Sequence, residues 1–226
     1  MSYTLNLPVV KQLVAKDWYL QRKFIVLYTL AGIAALSFIS LGEWQFVMGS
    51  TLLMSAVIGM GNHQISSTII NERKEHTLPF IMSLPVTPVD YALAKLIACM
   101  TLFVFPWLLI VAATIFVFSA SPIPDGLLPL CLILALYFLL SYCLTWATGM
   151  ISESDGMVLF VMIFLNCMIG PMIYMVARIE SIRTHLFSSQ AVWSSEALGI
   201  IAVQLSFLAV ALLVAFVWQA RKETFL

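Results

Sequence analysis

Apolar residues recur near helical spacing through residues 3–23, at Leu5, Val9, Val10, Leu13, Val14, Tyr19 and Leu20. Lys11, Lys16, Asp17, Arg22 and Lys23 fill the intervening positions. This pattern predicts an amphipathic helix lying in a membrane interface, with Trp18 and Tyr19 at headgroup level. Six long apolar runs follow, over residues 24–41, 44–67, 91–118, 127–150, 157–177 and 197–219. Each approaches or exceeds the roughly 20 residues that a helical span requires. The second run turns polar after Met60, through Asn62, His63, Gln64, Ser66, Ser67 and Thr68, so its end should face other helices or water. Pro106 predicts a kink in the third run, and Gly170-Pro171 a break in the fifth.

The connections are as informative as the runs. Residues 69–90 form the longest conspicuously polar one. Glu72, Arg73, Lys74, Glu75 and His76 crowd its start, and Phe80, Ile81 and Leu84 then give it an apolar face. A short surface helix broken at Pro85 is expected. Thr87-Pro88-Val89-Asp90 predicts a fresh helix, with a capping hydroxyl, proline at the first helical position and a carboxylate at the third. Residues 178–196 form a second polar, amphipathic connection, with Arg178, Glu180, Arg183, His185 and Glu196.

Composition narrows the class. Of 226 residues, 62% are hydrophobic and 10% charged, with a mean hydropathy of +1.02. A soluble domain needs roughly a quarter of its residues charged, so a soluble globular protein is excluded. Eleven basic residues balance eleven acidic ones, leaving no basic field for nucleic acid. The expectation is an all-α, polytopic membrane protein forming a single transmembrane domain over residues 1–226. No polar stretch exceeds about 25 residues, which leaves no room for a soluble catalytic domain. The first 23 residues lack the cleavage pattern of a secretory signal. Cys99, Cys131, Cys143 and Cys167 lie inside apolar runs and read as small packing residues.

With an even number of spans, both termini share one side. That side holds Lys11, Lys16, Arg22, Lys23, Arg73, Lys74, Lys95, Arg221 and Lys222, against Arg178 and Arg183 on the other. Both termini and the 69–90 connection are therefore expected in the cytoplasm, and the chain in the cytoplasmic (inner) membrane.

Candidate chemistry is sparse. The middle of every run is free of Asp, Glu, Lys and Arg, whereas ion-coupled carriers need a titrating or ion-binding group at depth. Asn166, Gln204, Tyr137 and Tyr142 are the main polar groups there. No H-E-x-x-H or G-x-S-x-G occurs, and His63, His76 and His185 read as interfacial polar residues. No catalytic, metal or cofactor site is expected. No G-x-x-x-x-G-K-[ST] occurs either, so active transport would draw its energy from another polypeptide docked at residues 69–90.

In these features the chain resembles the membrane subunit of ATP-binding-cassette exporters, the ABC type-2 permease family. Four features carry the resemblance: the amphipathic helix at 3–23, six spans with cytoplasmic ends, the 69–90 connection, and the polar external segment at 178–196. Within the connection lie Glu72-Arg73-Lys74-Glu75-His76-Thr77-Leu78, then Ser83-Leu84-Pro85-Val86-Thr87, then Ala94-Lys95. The family typically shows an acidic-basic start, a Pro-containing stretch and an Ala-Lys pair there. His76 stands where many relatives carry glycine.

The resemblance implies a second permease subunit, identical or a sister, and a pair of cytoplasmic ATP-binding-cassette ATPase subunits. It implies a coupling helix at 72–84 seated in an ATPase cleft, and short helices in the external segment. Glu72, Arg73, Lys74, Glu75 and His76 would offer charge to that partner. Phe80, Ile81 and Leu84 would anchor it, with Pro85 forming a rigid corner. Met54, Met60, Phe103, Phe105, Met162, Phe164 and Met168 suit lipid-facing packing or an amphipathic or apolar cargo. No substrate-contacting residue is assigned. The competing expectation is a non-transporting membrane scaffold, immunity or assembly protein.

Overall fold

The computed structural model of the chain describes residues 6–75, 86–152 and 154–220. Among these residues there is no strand, and six helices are long and apolar enough to cross a membrane. The elements are α1 (Leu7–Ile39), α2 (Glu43–Ile65), a π-helical turn (Ser66–Ile70) and α3 (Asn71–Lys74). There follow α4 (Pro88–Ala120), a 3-10 turn (Asp125–Leu127), α5 (Leu128–Ile151), α6 (Asp155–Cys167), α7 (Ile169–Arg178), α8 (Glu180–Arg183) and α9 (Ser195–Ala220). The six spans are α1, α2 through α3, α4, the 3-10 turn with α5, α6 with α7, and α9.

The amphipathic segment and the first span are one continuous helix. No glycine or proline lies between Pro8 and Gly32, so nothing ends the helix at residue 23. Its 33 residues make a rod of about 50 Å, longer than the ~30 Å hydrocarbon core. Its first half packs on the bundle. Gln21 Nε2 donates to Ser67 Oγ at 2.6 Å, and Trp18 Nε1 to Thr101 Oγ1 at 3.1 Å. Asp17 of the amphipathic pattern, and Gln21 one turn on, are buried against neighbouring helices.

The start of α4 matches its sequence signature. Thr87 Oγ1 accepts from the Asp90 backbone N–H at 3.2 Å, and the Asp90 carboxylate accepts from the Thr87 N–H at 3.2 Å. Pro106 lies inside α4 without interrupting it. The fifth span breaks slightly earlier than the Gly170-Pro171 pair suggests, at Met168 between α6 and α7. The cause is Pro171, which has no N–H to give the Cys167 carbonyl four residues back.

α1 packs on α2 and α4, and α5 packs on α9. At the α1–α2 crossing, a Cβ on Gly49 would lie 2.8 Å from the Ala35 carbonyl oxygen, so these backbones approach as only glycine permits. The core gathers Met60, Ile65, Phe103, Trp107, Tyr142 and Trp146. Phe103 and Tyr142 stack with centroids 4.1 Å apart.

Polar groups at span depth join helices to one another. Tyr142 Oη donates to the Cys99 carbonyl at 2.8 Å, Tyr137 Oη to the Leu165 carbonyl at 2.6 Å, and Gln204 Nε2 to the Ile133 carbonyl at 3.2 Å. Asn166 Nδ2 donates to Asn62 Oδ1 at 3.3 Å. The polar end of the second span likewise turns inward, with Gln64 Nε2 donating to the Leu102 carbonyl at 3.0 Å. Such bonds hold helices together where apolar contact gives no preference over lipid.

Residues 178–196 do not form one helix. After α8 the chain folds back over the start of α5, where the Gly126 N–H donates to the Ser188 carbonyl at 3.1 Å. A Cβ on Gly126 would overlap the His185 carbonyl, so the contact needs glycine. Ile182 and Ala197 close a small apolar cluster with Ile133 and Val176.

Candidate coupling site

The charged run Glu72–Glu75 lies where the second span ends, and its four residues divide between the interior and the surface. Glu72 is buried. Its Oε1 accepts from Lys16 Nζ at 2.6 Å and from Lys95 Nζ at 2.8 Å, and its Oε2 accepts from the Tyr91 hydroxyl at 3.2 Å. Lys95 also donates to Asp17 Oδ2 at 2.8 Å, and Lys16 Nζ lies 3.3 Å from Asp17 Oδ1. Two ammonium groups from α1 and α4 thus face two carboxylates from α1 and α3. Lys95 and Asp17 are each 3% exposed and Glu72 is 9% exposed. Ions buried to this degree persist only when their charges are balanced and their hydrogen-bonding capacity is largely filled. This cluster meets the first condition with equal numbers of each sign.

A second contact lies one residue on. Arg73 Nη1 is 3.6 Å from Asp155 Oδ1 at the start of α6, and Nη2 donates to the Gly149 carbonyl near the end of α5. A third fastens the start of α1, where the Asn6 N–H donates to Asp90 Oδ1 at 3.0 Å. The foot of α3 is therefore joined by charge to α1 and α4 on one side and to α5 and α6 on the other.

Of the residues expected to meet a soluble partner, Lys74 and Glu75 are exposed. Glu72 is turned inward, because the buried ammonium of Lys95 needs a counter-charge more than solvent needs another carboxylate. Arg73 is half-buried against α5 and α6. His76, Phe80, Ile81, Leu84 and Pro85 lie outside the described residues. The cluster also contains Lys16 and Asp17 of the amphipathic segment, Lys95 of the Ala-Lys pair, and Tyr91, the first residue of the third apolar run. One signal in the sequence points to Lys95. Lys95 stands in the apolar run Leu93-Ala94-Lys95-Leu96-Ile97-Ala98, and a lone cation there implies a buried acid. Among the described residues no group of His, Cys, Asp and Glu is arranged to hold a metal ion.

Six helices long and apolar enough to cross a membrane, tied to one another by polar bonds at depth, define a multi-pass membrane protein. The sequence profile described as ABC-2 family transporter protein matches residues 40–193, and the chain belongs to that family. It is an ABC-2 type permease, a membrane component of transport that is not itself catalytic. No curated protein and no solved structure matches the chain.

Proposed function

We propose that the chain is the transmembrane subunit of an ATP-driven exporter in the cytoplasmic membrane. It works with a second permease subunit and with a pair of separate cytoplasmic ATP-binding-cassette ATPase subunits. Residues 69–90 are the coupling segment. Lys74, Glu75, His76, Phe80, Ile81, Leu84 and Pro85 make or shape the contact with the ATPase, and Glu72 and Arg73 carry its motion into the bundle. The supporting observation is the pair of ionic junctions at Glu72 and Arg73, which join the start of that segment to α1, α4, α5 and α6. A displacement there reaches four helices through ion pairs and hydrogen bonds instead of dissipating in a loop. The cargo is amphipathic or apolar.

The test separates contact from transmission. Purification from native membranes returns an ATP-binding-cassette ATPase that has no spans of its own. Glu75→Lys combined with Leu84→Asp abolishes this association. Glu72→Gln preserves it but loses the permease-dependent stimulation of ATP hydrolysis. An intact complex with the first variant overturns the docking assignment, and normal stimulation with the second overturns the transmission role.

A further inference from the structure

At the end of the bundle opposite the ion cluster lies an apolar cavity of about 280 Å³ between α1, α2, α4 and α5. Met54, Trp107, Ile110, Phe118 and Phe138 form much of its wall, and Trp193 of the 178–196 connection lines it as well. Lys95 and Thr114 are 19 residues apart on α4, so the cavity is roughly 28 Å from the charges along the helix. Among the described residues no charged side chain lines it.

Water is a poor occupant. The polar lining groups are few: Ser50, Thr114, Cys131 and the Trp107 indole N–H. Thr114 Oγ1 already donates to the Ile110 carbonyl at 2.8 Å, and Trp107 Nε1 to the Ala135 carbonyl at 3.0 Å. A buried water needs two to four polar partners, and this wall does not supply them for a volume of several waters. An empty space of this size forfeits dispersion contacts along its whole lining.

The surroundings indicate what fills it. Two lining side chains, Ile115 and Trp193, also reach the outer surface of the bundle, with 50% and 43% exposure. Ile115 is adjacent to Phe116, which is 70% exposed, on an apolar outer face. Trp193 is followed by Ser194, Ser195 and Glu196, a polar rim at the start of α9. An apolar chamber beside a lipid-facing wall, with a tryptophan and a polar rim at one edge, matches a chain with a polar head.

We propose that this cavity binds one acyl chain of a membrane phospholipid, entering beside Ile115 and Trp193 with its headgroup at residues 194–196. The lipid is a resident ligand of the single permease subunit. The proposal does not depend on ATP-driven export.

The full chain, reconstituted in phosphatidylcholine vesicles containing a trace of phosphatidylcholine with a diazirine near one acyl terminus, tests it. After irradiation and digestion, mass spectrometry maps the adducts. Adducts are expected on the chamber-lining Met54, Val111, Cys131 and Phe138, alongside those on exposed Leu213 and Val214 of α9. Adducts confined to exposed faces overturn the proposal. In Ser50→Phe/Val111→Phe, which fills the chamber, the chamber-lining adducts should fall at least tenfold while those on α9 persist. Unchanged labelling of the chamber in that variant also overturns it. If the variant does not fold, the wild-type map alone decides.

Discussion

Lys95 is the most constrained charge in the chain. It contacts one carboxylate on α1 and one on α3, both within 2.8 Å and both shielded from solvent. Replacing it with methionine leaves Asp17 and Glu72 to share Lys16. Removing one partner from a buried ion pair costs about 3–5 kcal/mol. A large drop in the unfolding midpoint of Lys95→Met in detergent is therefore expected. The double variant Asp17→Asn/Lys95→Met removes one charge of each sign and keeps Lys16 with Glu72, so it should recover part of the loss. If the double variant is no more stable than the single one, Lys95 does not act through Asp17. Lys95 could be singled out from its apolar neighbours alone. Its partners could not, because Asp17 and Glu72 are 78 and 23 residues away and reach it only once three helices have packed.

At the level of elements, local chemistry was readable and junctions were not. The Thr87–Asp90 cap follows from four adjacent residues and is formed as expected. Asp90 then does more than cap, since it also accepts from the Asn6 N–H at the foot of α1. Asp90→Ala should therefore cost more than the usual ~1 kcal/mol of a lost cap, and more than Thr87→Ala. Chemical denaturation of the two variants side by side checks this. The merging of the amphipathic segment with the first span was hidden, because a switch from amphipathic to uniformly apolar pattern marks a change of surroundings and not a helix end. Gly49 is a similar case. In the sequence it is one small residue in an apolar run, and only the packed helices place the Ala35 carbonyl beside it. Gly49→Leu should force α1 and α2 apart and destabilise the protein by about 1–3 kcal/mol, read as a lowered thermal midpoint.

For the molecule as a whole, the spans differ in how much of themselves they cover. The most apolar window of the fourth span is 44% buried, whereas those of the fifth and sixth are 6% and 11% buried. Phe160, Ile163 and Phe164 on α6 and Phe207, Val210 and Leu213 on α9 face outward. Hydrophobicity identified all these helices as spans without distinguishing the covered from the uncovered, since lipid and protein interior are equally apolar. Leu213→Arg should raise the cost of insertion by roughly 3 kcal/mol. The expected readout is reduced membrane-integrated yield, with Phe207→Leu as a neutral control.

α1 starts beside Asp90, runs past the half-exposed Lys16 and the buried Asp17, and ends at Ile39 in the wall of the apolar chamber. It is a stiff strut with a pivot at its foot. A tilt of about 5° over its length would carry the far tip some ~4 Å sideways, given the ~1.5 Å rise per residue. That is close to the width of a hydrocarbon chain, so a small tilt of α1 is enough to pinch the chamber shut or let it gape.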